Sequence, residues 1–209
     1  MPNLARKMVL VALLLLGGDA FAQADPQLKV SCGPDSAITA RSTLDQLVEK
    51  FGRGNVRKQQ VEIGEGETRE GIVIFPGVSD KEIAVLPSTT NEPMYVVLRG
   101  QRSQWVTAGG ITLGSGLKEL EQLNGKPFLL TGFDWDYSGT VVDWQGGKLQ
   151  PSEGCVFQPR LDYGSRDGSS EEENKAAVQV IGDRDYSSSL PAMQALNPKV
   201  YEIVITFYK

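Results

Sequence analysis

The sequence predicts an α+β fold made of two tandem modules, each a short helix packed on an antiparallel β-meander. Three observations predict it: an internal repeat with helical periodicity, alternating apolar runs after each copy, and glycine-rich turns between those runs. A helix that precedes a meander has to cover one face of the sheet. We therefore predict a first module over residues 23–108 and a second over residues 109–209.

The internal repeat aligns ITARSTLDQLVEKFG, residues 38–52, with ITLGSGLKELEQLNG, residues 111–125, without gaps at an offset of 73 positions. Ser42 and Ser115 come just before the apolar periodicity, so each is predicted to be a helix N-cap. A glycine closes each copy, as at many helix C-termini. Each copy has one apolar face, formed by Leu44, Leu47, Val48 and Phe51 in the first and by Leu117, Leu120 and Leu123 in the second.

Strand-like runs follow each predicted helix. The first module continues with VEIGEGETREGIVIF, EIAVL, MYVVLRG and SQWVTAGG, and the second with PFLLTGFDW, TVVDW and CVFQPRL. The acidic segment 164–177 lacks periodicity and is predicted to be a mobile loop. One helical turn is expected between Pro191 and Pro198, and VYEIVITFYK predicts a C-terminal strand.

The N-terminus has the pattern of a secretory signal. Arg6 and Lys7 precede an apolar run that is too short to cross a bilayer, and small residues at Ala20 and Ala22 fit cleavage after Ala22. A cut two residues later and an uncleaved anchor are the alternatives. We predict a signal peptide over residues 1–22 and a periplasmic or secreted protein without membrane insertion.

Composition limits the chemistry. An exported chain with two cysteines predicts one disulfide between Cys32 and Cys155, with separate or redox-active thiols as the alternative. The chain has no histidine, which excludes Ser-His-Asp and Cys-His catalysis and histidine-based zinc sites. Its net charge of −5 disfavours nucleic acid and anionic membranes as partners. No metal or cofactor is predicted, although carboxylate chemistry and hard-cation binding stay open.

The repeat also carries a resemblance. A short helix with leucines at helical spacing before a glycine, followed by antiparallel strands and present twice, resembles the modules of the β-lactamase inhibitor protein and of the small lipoprotein subunit of the outer-membrane assembly machinery. GITLGSGLKELEQLNGKPF with GFDWDYSGTVVDWQGG looks like exported bacterial proteins of uncharacterised role. The resemblance covers residues 111–149 and, more weakly, 38–85. It implies a scaffold and a tendency to bind proteins, with no site residue carried over.

The GFDWDY segment contains the candidate site residues. As a strand it would place Phe133, Trp135 and Tyr137 on one face and Asp134 and Asp136 on the other. The two carboxylates would then lie within about 7 Å of each other, close enough to share a calcium ion or to raise one pKa. The alternative is a solvated strand edge that runs into a turn.

The hairpin partner VVDW is expected to bring Asp143 and Trp144 close to Asp134 and Trp135. The aromatics would then form a packed seam between helix and sheet, a protein contact or a sugar-stacking surface.

We hypothesise a non-catalytic exported binding module, a protein inhibitor or envelope adaptor, whose partner is another envelope or extracellular protein. Trp135, Tyr137 and Trp144 are its candidate binding residues. The alternative is a carboxylate-dependent glycan hydrolase or a carbohydrate-binding protein that uses Asp134, Asp136 or Asp143.

Overall fold

The computed structural model describes residues 28–64, 66–87, 93–151, 154–164 and 169–208. The predicted signal peptide lies outside these ranges. The helices are α1 (Leu44–Phe51), α2 (Leu117–Asn124), α3 (Glu171–Val178) and α4 (Pro191–Leu196). The strands are β1 (Lys29–Val30), β2 (Val56–Gly64), β3 (Glu67–Ile74), β4 (Ile83–Pro87), β5 (Pro93–Arg99), β6 (Val106–Thr107), β7 (Leu129–Thr131), β8 (Val141–Asp143), β9 (Cys155–Asp162), β10 (Asp185–Ser187) and β11 (Lys199–Phe207). The α+β class is confirmed.

The main sheet is antiparallel and has the strand order β2-β3-β4-β5-β11-β9. A smaller antiparallel sheet has the order β10-β7-β8, and β1 pairs in parallel with β6. A bridge between Thr140 and Arg160 places the small sheet beside β9. Strands β9 and β11 come from the second predicted module, so one sheet contains strands of both halves. The division at residue 108 stays a prediction.

The two helices keep the register of the sequence repeat. Both are 8 residues long and start at equivalent positions, Leu44 and Leu117. Their N-caps, however, are Thr43 and Gly116 rather than the predicted serines. Each serine hydroxyl accepts a hydrogen bond from a threonine amide three residues earlier, at 3.0 Å from Thr39 and at 3.4 Å from Thr112. The serines therefore close the turn before each helix and do not cap the helix itself.

One apolar core joins α1 and α2 to the inner face of the main sheet. Leu47 and Leu120 are buried in it, and Trp105 is fully buried near Phe51 at a ring-centroid distance of 5.8 Å. The inner face is formed by alternate strand residues, among them Ile72, Ile74, Ile83, Val85, Val96, Leu98, Ile203 and Ile205. A smaller apolar cluster lies on the outer face and consists of Val61, Val73, Leu86 and Val97.

The acidic segment differs from the prediction of a mobile loop, because α3 begins within it. Ser170 caps this helix, and a reciprocal hydrogen bond from the Ser170 amide to the Glu173 carboxylate completes a capping box. The Glu173 carboxylate accepts hydrogen bonds from the backbone amide and from the hydroxyl of Ser170, and these two bonds, the backbone one first, hold the pKa of Glu173 below its ordinary value. Ala176 and Ala177 are buried, so two alanines attach the helix to the core.

Three other predictions are confirmed. A disulfide joins Cys32 to Cys155, the first residue of β9 and 123 positions away. The short helix α4 lies between Pro191 and Pro198, and β11 forms the predicted C-terminal strand. Within the described part of the chain, no helix combines the length and the apolar character that crossing a membrane requires.

Candidate functional site

Trp144 lies in the core, where its ring packs on Phe128 at a centroid distance of 5.1 Å. Only 3% of the residue is exposed. Trp144 is therefore part of the packed seam between helix and sheet, the first of the three alternatives for these aromatics. Its ring offers no open face to a partner.

The hairpin of β7 and β8 does not bring Asp143 close to Asp134, as the sequence had led us to expect. β7 and β8 are only 3 residues each, and Asp143 pairs with Leu129 rather than with Asp134. The chain turns at Asp134, whose φ of 63° belongs to the left-handed region and ends any extended strand. The Asp143 carboxylate accepts hydrogen bonds from the backbone and side-chain nitrogens of Gln145, at 2.7 and 2.6 Å. Asp143 thus belongs to a local turn.

No group of three or more acidic or cysteine side chains that could hold a metal ion is formed within the described ranges. Asp134 and Asp136 are both exposed on the loop that joins β7 to β8. The loop replaces the predicted strand alternation, so Phe133 is buried while Trp135 is only half-buried.

The loop of residues 132–140, which we call the tyrosine loop, is held by a threonine at each of its ends. The hydroxyls of Thr131 and Thr140 both donate to the carbonyl oxygen of Tyr137, at 2.6 and 2.9 Å. The Thr140 amide in turn donates to the Thr131 hydroxyl at 3.0 Å. The indole nitrogen of Trp135 donates to the Gly132 carbonyl at 3.0 Å. These bonds fix the backbone at Tyr137 from both sides.

Two glycines let the tyrosine loop lie against neighbouring backbone. A Cβ atom at Gly139 would stand 1.9 Å from the carbonyl oxygen of Leu161 on β9, and one at Gly132 would stand 2.5 Å from that of Gly182. Only glycine fits such approaches. The loop is thus anchored to β9 as well as to itself.

The anchored loop presents one open aromatic ring. Tyr137 is 58% exposed, and Trp135 packs against it edge-on with ring centroids 5.6 Å apart. Behind the ring, Arg160 Nη2 donates to the Asp136 carbonyl at 2.7 Å, which ties the loop to the outer face of the main sheet. Of the predicted binding residues, Tyr137 is therefore the one that the fold places on the surface.

Beside Tyr137 lies a cavity of about 590 Å³ on the outer face of the sheet, which we call the arginine cleft. It lies between the tyrosine loop and the tip of the β2–β3 hairpin. Its charged and aromatic lining residues are Arg69, Tyr95, Arg99, Tyr137, Arg160 and Glu202.

Strand register explains why two of the arginines flank one carboxylate. In the antiparallel sheet, Glu202 of β11 pairs with Arg99 of β5 on one side and with Arg160 of β9 on the other. Residues opposite each other in this way share a face of the sheet. Glu202 is only 4% exposed, and it forms ion pairs with Arg99 and with Arg160, the latter at 3.3 Å. The buried charge is therefore compensated.

The hairpin of β2 and β3 reaches over the same face. Arg99 Nη1 donates to the carbonyl oxygen of Glu62 at 2.6 Å, although Glu62 lies on the edge strand β2. Val97 and Leu86 are nearly buried beneath the hairpin, and Val204 continues their surface onto β11. The cleft therefore has an apolar floor and a charged margin.

The arginines have unused hydrogen-bonding capacity. Arg69 is exposed and forms no ion pair with any residue in the described ranges. The Arg160 Nε–H is buried and has no hydrogen-bond partner among those residues. Three arginines face a single glutamate in the cleft of a chain whose net charge is −5. The cleft is thus locally positive on an acidic protein.

No motif in the sequence indicates the arginine cleft. Its one visible signal was Glu202, a charged residue inside the alternating apolar run VYEIVITFYK. The neighbours of that carboxylate depend on the order of the strands, which periodicity does not reveal. Comparison of the chain with protein families, with curated proteins and with solved structures finds no match.

Proposed function

We propose that this protein is a non-catalytic exported binding protein, acting as a protein inhibitor or an envelope adaptor, and that Tyr137 and the arginine cleft form its binding surface. The proposal rests on one observation: hydrogen bonds and close glycine contacts hold the tyrosine loop so that an exposed ring stands beside the cleft. A large ring presented on a rigid loop loses little conformational entropy on binding.

The residue types support a protein partner. Tyrosine, tryptophan and arginine are enriched among the residues that contribute most to protein–protein binding. Tyr137 and Arg69 line the cleft with its apolar floor, and Trp135 packs against the Tyr137 ring. A charged margin around an apolar centre is also the usual anatomy of such interfaces.

The proposed setting is outside the cytoplasm, after cleavage near Ala22. The Cys32–Cys155 disulfide supports it, since structural disulfides persist mainly in oxidising compartments. The partner is then another envelope or extracellular protein.

The test is affinity capture from an envelope extract with the oxidised chain from residue 23 onward. Tyr137→Ala is compared with Tyr208→Ala, because the two tyrosines are 58% and 57% exposed and Tyr208 does not line the cleft. We expect a stoichiometric partner that Tyr208→Ala retains and that binds Tyr137→Ala about tenfold more weakly or worse. Equal retention by both variants, or no partner at all, would contradict the proposal.

Carbohydrate binding is a second candidate, supported by the Trp135–Tyr137 ring pair with Asp134 and Asp136 exposed beside it. Rings stack on sugars while carboxylates accept hydrogen bonds from hydroxyl groups. Titration with envelope glycans decides between the two, since Asp134→Asn and Asp136→Asn would then weaken glycan binding. Asp143 plays no part here, because it lies at the far end of the hairpin.

A further inference from the structure

We propose that the arginine cleft recognises an acidic, extended peptide segment of the partner, with a carboxylate of that segment bound by Arg69. This inference rests on the proposed binding function and adds the chemistry of the ligand. A partner segment that carries both a carboxylate and an apolar side chain matches the two parts of the cleft, its arginines and its floor.

Charge complementarity favours an anionic group. Arg99 and Arg160 share the one carboxylate of Glu202, and Arg69 has no ion-pair partner within the described ranges. A guanidinium group binds a carboxylate through two parallel hydrogen bonds, and this geometry favours a planar anion. The excess positive charge lies in the cleft, whereas the chain as a whole is negative. An acidic ligand is therefore attracted locally and repelled by most of the remaining surface.

The apolar floor of the cleft favours a ligand that carries an apolar group in addition to its carboxylate. Val97 and Val204 lie directly opposite each other on β5 and β11, and Leu86 and Tyr95 continue the apolar wall. A cavity of about 590 Å³ has room for several side chains of a peptide. In an extended segment, side chains separated by two residues point to the same side. Such a segment presents its carboxylate and its apolar group to the cleft together.

The experiment measures fluorescence anisotropy with a short labelled peptide in which Glu and Phe lie two residues apart, with Ser between them, so that an extended peptide presents both side chains on one side. The matched probe has Gln at every Glu position. The protein variants are Arg69→Gln and Arg41→Gln, which remove the same charge from exposed arginines, and Arg41 does not line the cleft. Because both side chains are exposed, both variants are expected to fold.

We expect the Glu peptide to bind the unchanged protein at least about tenfold more tightly than the Gln peptide. Arg69→Gln should lower that affinity by about tenfold, and Arg41→Gln should leave it within about twofold. Equal binding of the two peptides, or equal effects of the two variants, would overturn the proposal. Full displacement of the Glu peptide by an equal concentration of free acetate would overturn it too, since the cleft would then recognise a carboxylate alone.

This result is separable from the test of the proposed function. A partner captured through Tyr137 from the extract, together with failure of the Glu peptide to bind, would leave the binding function standing and remove the acidic ligand. Binding of the Glu peptide without any captured partner would instead contradict the protein-binding function.

Discussion

The C-terminal ends of α1 and α2 occupy equivalent positions of the repeat but are held by different interactions. α1 ends at Phe51, a nearly buried residue. Its ring packs edge-on against Phe75 and Trp105, at centroid distances of 5.7 and 5.8 Å. The Phe51 side chain is thus held by apolar contact, while its backbone carbonyl accepts a hydrogen bond from Asn55 Nδ2 at 2.9 Å.

α2 ends at Asn124, which is 1% exposed. Its Nδ2 donates to the carbonyls of Lys126 and Trp144, both at 2.9 Å, and its Oδ1 accepts from the Leu149 amide at 3.1 Å. Apolar contacts have no preferred direction, whereas hydrogen bonds do. The second half therefore uses directional side-chain bonds at this position, where it has to hold loops in place.

Exchanging both residues for leucine tests this comparison and should give the largest difference. We expect Phe51→Leu to lower the free energy of unfolding by about 1 to 2 kcal/mol, because an apolar side chain still fills most of the site. Asn124→Leu should lower it by about 3 kcal/mol or more, since buried backbone groups lose their partners. Urea denaturation followed by circular dichroism measures both. Equal losses would remove the distinction between the two helix ends.

The glycines of the second half allow a sharper test. Gly139 and Gly146 have φ values of 66° and 67°, so an added side chain suffers the same backbone strain at both. A Cβ at Gly139 would meet the Leu161 carbonyl, whereas a Cβ at Gly146 meets nothing within 4 Å. We expect Gly139→Ala to lower the free energy of unfolding by about 1 to 3 kcal/mol more than Gly146→Ala.

The same two variants probe the tyrosine loop. Gly139→Ala should also change the near-ultraviolet circular dichroism of Trp135 and Tyr137, because the loop has to move away from β9. An unchanged spectrum together with equal stabilities would show that the loop is not fastened through Gly139.

Substitution at a helix N-cap should give the smallest loss in the free energy of unfolding. α1 is capped locally, since the Thr43 hydroxyl accepts from the Gln46 amide at 3.3 Å. The N-cap of α2 is Gly116, which has no side chain, and the Lys118 amide donates instead to Oδ1 of Asn197 at 3.2 Å. Thr43→Ala should lower the free energy of unfolding by about 1 kcal/mol.

The control for the cap is Ser42→Ala, which removes the residue that the sequence pattern favoured. Its hydroxyl serves the preceding turn, so we expect a smaller loss than for Thr43→Ala in thermal unfolding. A larger loss of stability for Ser42→Ala than for Thr43→Ala would show that Ser42 is the N-cap of α1.

Local patterns were sufficient for much of the fold. The apolar faces that contain Leu47 and Leu120 predicted α1 and α2, and alternation predicted the strands of the main sheet. The segment at α3 was missed because its first turn consists of three glutamates and its core contact is made by two alanines. Small residues give a weak periodic signal, although Ser170 and Glu173 do form a capping box that could have been recognised.

The candidate site was predicted in part. The sequence singled out the aromatic segment at Trp135, but the predicted strand alternation failed because Asp134 turns the chain. Whether a ring is buried depends on what packs over it, which separates Trp144 from Tyr137. The arginine cleft combines residues of distant strands, and Arg99 and Glu202 are 103 positions apart. No local pattern relates such residues.

The position of β11 also has a consequence for how the protein is made. β11 lies between β5 and β9, so β5 gains its second neighbour only from a strand that follows it by about a hundred residues. Until β11 docks, β5 presents unpaired backbone groups along an apolar edge, the arrangement from which strand-to-strand aggregation starts. Contacts between such distant segments also form slowly. We therefore expect this chain to be most prone to aggregation before β11 docks.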